Sequence, residues 1–255
     1  MKHPFKLTLL FVLIPMVVGL AQTTKTMVAN NPPADSLNAW YRAAVTNAQN
    51  PEPEEISTEL MGVNPTSTAL QYKTIDGQVY VKALSWMSFS DTTYYPREKW
   101  NHYETGSYRM WVTLVPQLQV ACQDANYVGG LPLTLRLEMA LGLPPNNGKQ
   151  VFMEVWIRPQ DLYRPCPDPS PYDNACGLSI PEYVTEDYRT WFNDLRGVQY
   201  YQKNGNTGYP WTQLGYTFDW NPSNTTHVGF SEYVVRPNSV LVIDGFTPTA
   251  EYCGL

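Results

Sequence analysis

The stretch GYPWTQLGYTFDWN, residues 208–221, carries five aromatic rings and a single charge in fourteen positions. Tyr and Trp join an apolar ring to a polar handle, so such a run serves either as core or as a surface on which a ligand stacks. Sugar rings present C–H faces that fit aromatic rings, and Asp, Asn and Gln take their hydroxyls. On this reading Tyr209, Trp211, Tyr216, Asp219 and Trp220 form the expected ligand-binding set, with Trp211 or Trp220 as the exposed ring.

Asp219, lodged between Phe218 and Trp220, is also the best-placed acid, because apolar neighbours raise a carboxyl pKa. Glycoside hydrolysis needs two carboxyl groups roughly 5–10 Å apart. Glu232 and Glu154, on predicted strands, are the residues expected to face Asp219. The competing role for Asp219 is local: DWNPSN is turn chemistry, in which Asp and Asn bond their own backbone.

A second block, IRPQDLYRPCPDPSPYDNAC (157–176), holds five prolines and places Arg158, Asp161 and Arg164 at three-residue spacing. Spacing of three brings side chains to one side of a polyproline II helix. Arg158 and Arg164 could therefore clamp a ligand carboxylate or sulfate. Alternatively they pair with Asp161 and Asp168 and fix the loop.

Nucleophilic catalysis finds little support. Beyond the first 21 residues the only histidines are His102 and His227. GFSE (229–232) lacks the second glycine of a nucleophile elbow. His227 and Ser231 sit four strand positions apart, roughly 13 Å, whereas a nucleophile and its base must lie within about 3 Å. His102 could still approach Ser231 from elsewhere. Zinc would want CxxC pairs or clustered histidines, which the sequence lacks, so no metal and no cofactor is expected.

The chain opens with Lys2 and Lys6, an apolar run from Leu7 to Leu20, and small residues Gly19 and Ala21. That pattern predicts a secretory signal peptide over 1–21, since a membrane anchor needs roughly 20 apolar residues. Its removal takes two lysines, leaving 17 − 2 = 15 basic against 23 acidic residues, a net charge of −8. Such a balance argues against nucleic acid and anionic lipid as partners. The expected location is secreted or periplasmic, with no membrane span in the mature chain. In an oxidising compartment four cysteines imply two disulfides, and the expected pairs are Cys166–Cys176 and Cys122–Cys253. Asn224-Thr225-Thr226 is an N-glycosylation acceptor pattern, relevant only in a eukaryotic source.

The elements that must position these residues read as follows. Residues 22–35 are a polar, aperiodic leader, and SLNAWYRAAVTNAQN predicts a helix capped by Ser36. Two alternating runs flank Asp76-Gly77, the signature of a type I′ hairpin. Further strands are expected at 108–115, 149–157, 228–235 and 240–246. LPLTLRLEMALGLPP (131–145) alternates like a strand, yet its residue types, Pro132 and Gly142 favour a buried helix. TEDYRTWFNDLRG (185–197) predicts an amphipathic helix with Thr185 as cap and Gly197 at its end. Together they predict a single α+β domain over 36–255, a mostly antiparallel sheet packed by two or three helices. The function expected of it is non-catalytic binding of a glycan or envelope polymer. An extracellular hydrolase with a carboxylate pair and a structural or assembly protein of the envelope are the alternatives.

Overall fold

The computed structural model describes residues 31–255 except 125 and 202–207; the signal peptide and most of the expected leader lie outside the described residues. Its frame is one nine-stranded antiparallel sheet. The strands are β1 (Tyr72–Ile75), β2 (Gln78–Met87), β3 (His102–Glu104), β4 (Trp111–Leu114), β5 (Val151–Ile157), β6 (Leu162–Tyr163), β7 (Tyr216–Phe218), β8 (Val228–Val235) and β9 (Val240–Pro248). They run in the order β3-β9-β5-β2-β4-β8-β6, with β1 added to β2 and β7 to β8.

The β1–β2 hairpin turns at Asp76 and Gly77, whose φ angles are +50° and +76°, the positive pair that a type I′ turn requires. Strand β2 has ten residues, long enough to take β1 and then β4 on one edge and β5 on the other. Side chains alternate across this sheet. Val81, Ala83, Val112, Leu114, Met153, Val155, Tyr233 and Val235 pack on one face, under Met61, Val63 and Leu70 from the chain before β1. Leu84, Trp86, Phe152, Phe230 and Val234 point to the other, which the helices cover.

Among the described residues there are five α-helices: α1 (Ala34–Asn47), α2 (Gln117–Gln123), α3 (Leu133–Ala140), α4 (Glu186–Val198) and α5 (Thr249–Tyr252). The sheet is thus packed by more helices than the expected two or three, α2 and α5 being short at seven and four residues. Helix α1 begins before Ser36, with Pro33 at the cap position and no side-chain cap bond. Helix α4 does use Thr185, which accepts from the Tyr188 amide, but it runs through Gly197 to Val198. In α3 every residue from Leu135 to Ala140 is buried, the all-round burial that explains its strand-like alternation. Gly142 ends it at φ +63°, close to the backbone of Phe218, where a Cβ would be both strained and crowded.

Both disulfides join the expected cysteines. Cys122–Cys253 ties α2 to α5 with Cα atoms 5.2 Å apart, and Cys166–Cys176 closes the proline-rich loop at 6.5 Å. No described helix is long and apolar enough to cross a membrane.

The 208–221 stretch is mostly a suture between β7 and α3. Helix α3 leaves its last carbonyls without intrahelical donors. The Thr217 hydroxyl donates to Ala140 at 2.6 Å, the Trp220 amide to Met139 at 3.2 Å, and the Trp220 indole to the Leu143 carbonyl at 2.9 Å. Trp220 is 2% exposed and Tyr209 44%. Trp220→Ala should therefore cost about 3–5 kcal/mol through lost burial and the cavity left behind. Tyr209→Ala should cost within about 0.5 kcal/mol. Urea unfolding of the two variants checks this ordering, and equal midpoints would contradict it.

Candidate functional site

The helical layer packs as two separate apolar clusters. One gathers α1, α4 and the Trp211–Trp220 segment over β8, the other gathers α2 and α5 over β2 and β5, and α3 contributes residues to both. Between them a cavity of about 420 Å³ opens onto the sheet. That is within the range of roughly 300–1,000 Å³ usual for small-ligand sites. Its floor is Leu84 and Trp86 of β2, Trp111 and Thr113 of β4, and Glu232 of β8. Leu141–Leu143 after α3, Thr217 and Phe218 of β7, Gln199 at the end of α4, and Tyr209–Trp211 form the walls, with Tyr108 and Lys149 at the margin. Trp111 and Trp211 meet edge to face, centroids 6.4 Å apart.

Glu232 is the one acidic residue lining this cavity. Strand pairing sets it opposite Thr113. Among the described residues its half-buried carboxyl group makes no hydrogen bond and no ion pair, and the Thr113 hydroxyl beside it is buried without a partner. The remaining accessible area of Glu232 faces this partly open cavity. Burial alone pushes its pKa up to about 8. Asp244 on the same sheet face shows the contrast. Burial pushes it up as well, but hydrogen bonds from Lys82 and Lys99 outweigh that and hold it below the ordinary carboxylate range. Lys149 donates to the Trp86 carbonyl at 2.8 Å, and burial lowers its pKa.

The residues expected from sequence go to different places. Tyr209 and Trp211 line the cavity. Trp211 is only 4% exposed, with its indole donating to the Pro165 carbonyl at 3.0 Å. Neither Trp211 nor Trp220 is the exposed ring anticipated, because both polar handles are consumed by backbone carbonyls inside the fold. Tyr216 is core, its hydroxyl donating to Glu55 at 2.8 Å. Asp219 is buried in a two-point pair with Arg136, at 3.1 and 2.7 Å, and also caps its own turn through the Asn221 amide at 3.1 Å. Turn and pairing roles thus coexist, and no acid faces it across a cleft. Glu154 pairs with Lys82 at 2.8 Å. Along the sheet it stands three strands from Glu232, about 14 Å, so the expected trio of carboxylates is not assembled.

The arginines also separate. Arg158 pairs with Asp161 at 2.6 Å. Arg164 does not meet Asp168: it is fully buried, donating to the carbonyls of Met61, Asp173 and Gly215 and to the Tyr233 hydroxyl while lying over the Tyr233 ring. A ligand clamp would need a free guanidinium fork, and this one is spent on joining three loops. Ser231 is buried and accepts from the Met61 amide at 2.8 Å. His102 lies on β3, five strands away from β8 in the sheet order, about 24 Å. No Ser–His pair forms.

Sequence reasoning passed over Trp86, Tyr108, Trp111, Thr113, Lys149 and Gln199. One signal was readable: in VGFSEYVV the only charge falls in phase with Phe230 and Val234, on the face a strand keeps for its core.

Comparison with family models, with curated proteins and with solved structures finds no match for the chain. The class defined here rests on the fold: an α+β protein with two disulfides and an aromatic cavity lined, among the described residues, by one carboxyl group.

The raised pKa has a measurable consequence. Between the value of an unfolded glutamate, about 4.3, and about 8, the folded protein holds a proton that the unfolded chain has released. Stability therefore falls as pH rises through that window. Glu232→Gln should remove this contribution, so the variant should exceed wild type at pH 8 by on the order of 1 kcal/mol or more and differ little at pH 5. Urea midpoints at both pH values test it, and parallel behaviour of the two proteins would contradict it.

Proposed function

We propose that this is an extracytoplasmic, non-catalytic binding protein that seats one ring-sized unit of a polyhydroxylated ligand, such as a glycan, in the cavity over β2, β4 and β8. The observation that carries the reading is the combination of Trp111, Trp211, Tyr209 and Tyr108 with the unpartnered polar groups of Thr113 and Glu232 in one space of about 420 Å³. Aromatic faces suit the C–H face of a sugar, and a buried hydroxyl and a half-buried carboxyl group without partners among the described residues suit its hydroxyls. The two disulfides support an oxidising compartment, secreted or periplasmic. A mature charge of −8, the difference of 15 basic and 23 acidic residues, supports a partner other than nucleic acid.

Titrating the intrinsic tryptophan emission with neutral mono- and disaccharides up to millimolar concentration tests the proposal. A saturable change is expected, weakened at least tenfold by Trp111→Ala and reduced by Thr113→Val. No saturable change with any sugar would count against a glycan ligand.

Glu232 also supports a second reading, an extracellular hydrolase. A carboxyl group neutral at pH 7 can act as a general acid. Against the two-carboxylate form of that chemistry, Asp219 is held by Arg136 and Glu154 by Lys82. Turnover of a polysaccharide, ester or peptide that disappears in Glu232→Gln, with the fold intact, would replace the binding reading by this one.

A further inference from the structure

We propose that the Glu232 end of the cavity is a receptor for an organic ammonium group, so that the ligand is a cation at that end. The inference rests on the cavity being a ligand site and adds the chemistry of what it takes. Its basis is an imbalance of charge. Of the other acids on this face of the sheet or in the adjoining core, Glu154 and Asp244 share Lys82, Asp244 also has Lys99, Asp219 has Arg136, and Glu138 of α3, which has no cation among the described residues, accepts from the Asn147 amide instead. Glu232 has neither among the described residues, although it is the one that lines a cavity. A buried carboxylate that lacks a partner is strongly disfavoured as an anion, and a cation delivered by the ligand would restore it.

The walls suit such a cation. Trp111 pairs with Val234, which puts it diagonal to Glu232 on the same face, about 7–8 Å away along the backbone. Trp211 stands edge-on to Trp111, and Tyr108 and Tyr209 complete the aromatic lining. A desolvated ammonium group gains from ring faces as well as from a carboxylate. Thr113, opposite Glu232, offers its unpartnered hydroxyl. The cavity's own cation, Lys149, is held by the Trp86 carbonyl, and no ionic contact joins it to Glu232.

The proton balance is explicit. In the empty cavity at neutral pH the carboxyl group carries its proton. When an ammonium group docks, Glu232 releases that proton to solvent and forms the ion pair. Tyr108, Tyr209 and Lys149 line the same cavity as Glu232, and Tyr200 lies within its electrostatic reach. Burial pushes Tyr108 and Tyr200 upward, so neither ionises in the window concerned, while Lys149 is lowered. The Gln variant isolates the Glu232 contribution from that of Lys149.

The test uses the full-length mature protein and two probes of the same shape: choline, whose charge is fixed, and its neutral carbon isostere 3,3-dimethylbutan-1-ol. Calorimetry at pH 5, 6, 7 and 8 should show choline bound at least tenfold tighter than the alcohol at pH 8. Choline affinity should rise about tenfold per pH unit from 5 to 7, as linkage to one proton requires. Glu232→Gln should abolish both the preference and the slope, with near-UV dichroism confirming the fold. Trp111→Leu, which keeps bulk but removes the ring face, should weaken choline more than the alcohol. Equal binding of the two probes, or a preference that survives Glu232→Gln, would overturn the inference while neutral sugars that still bind would leave the cavity reading standing. If neither probe nor any neutral sugar binds wild type, both fall together.

Discussion

The pairing register of β4 with β8 is the constraint on which the rest depends. Thr113 stands opposite Glu232, and Trp111 opposite Val234. Because side chains alternate, a slip of one residue would turn every side chain of β8 to the other face. Tyr233 would enter the cavity, and Glu232 would be driven among Met153, Val155 and Leu114. Arg164 helps pin the register from behind: it is buried on the far face, lies over the Tyr233 ring and donates to its hydroxyl at 3.0 Å. The residue that looked like a ligand clamp thus acts one layer away, by fixing which β8 side chains can reach a ligand.

From that register the cavity follows. Leu84, Thr113 and Glu232 form a row across β2, β4 and β8, and the helices above them gather into two clusters rather than one. Trp220 and Thr217 close the end of α3 and hold it against one side of the gap, and Trp211, anchored to Pro165, walls the other. The energetic asymmetry is plain. Paired acids on the same sheet recover their desolvation through lysine contacts, whereas Glu232 has no such contact among the described residues. A carboxyl group perturbed by burial in a cavity is a candidate functional group.

How much of this was legible depended on whether the cause was local. The Asp76-Gly77 turn, the Thr185 cap and the burial of α3 on all sides are each written in a few neighbouring residues. The cysteine pairs were inferable from count and spacing, 10 and 131 residues apart. Strands β3, β6 and β7, of three, two and three residues, are too short to leave a periodicity. The Arg136–Asp219 pair joins residues 83 positions apart, which no local pattern encodes. The aromatic run misled in a specific way: Trp and Tyr handles suit wet surfaces, but here Pro165, Leu143 and Glu55 supply carbonyls to satisfy them in the interior. Of the five rings in the run, Tyr209, Trp211 and Phe218 line the cavity.

The account turns on one half-buried carboxyl group that has no partner among the described residues and lines a cavity. Carboxyl carbon NMR with labelled glutamate, assigned through Glu232→Gln, reads its titration directly in the ligand-free protein. A midpoint near 8 is the expected result. A midpoint at the ordinary glutamate value, about 4.3, would mean that Glu232 is solvated or already paired, and would contradict the central claim.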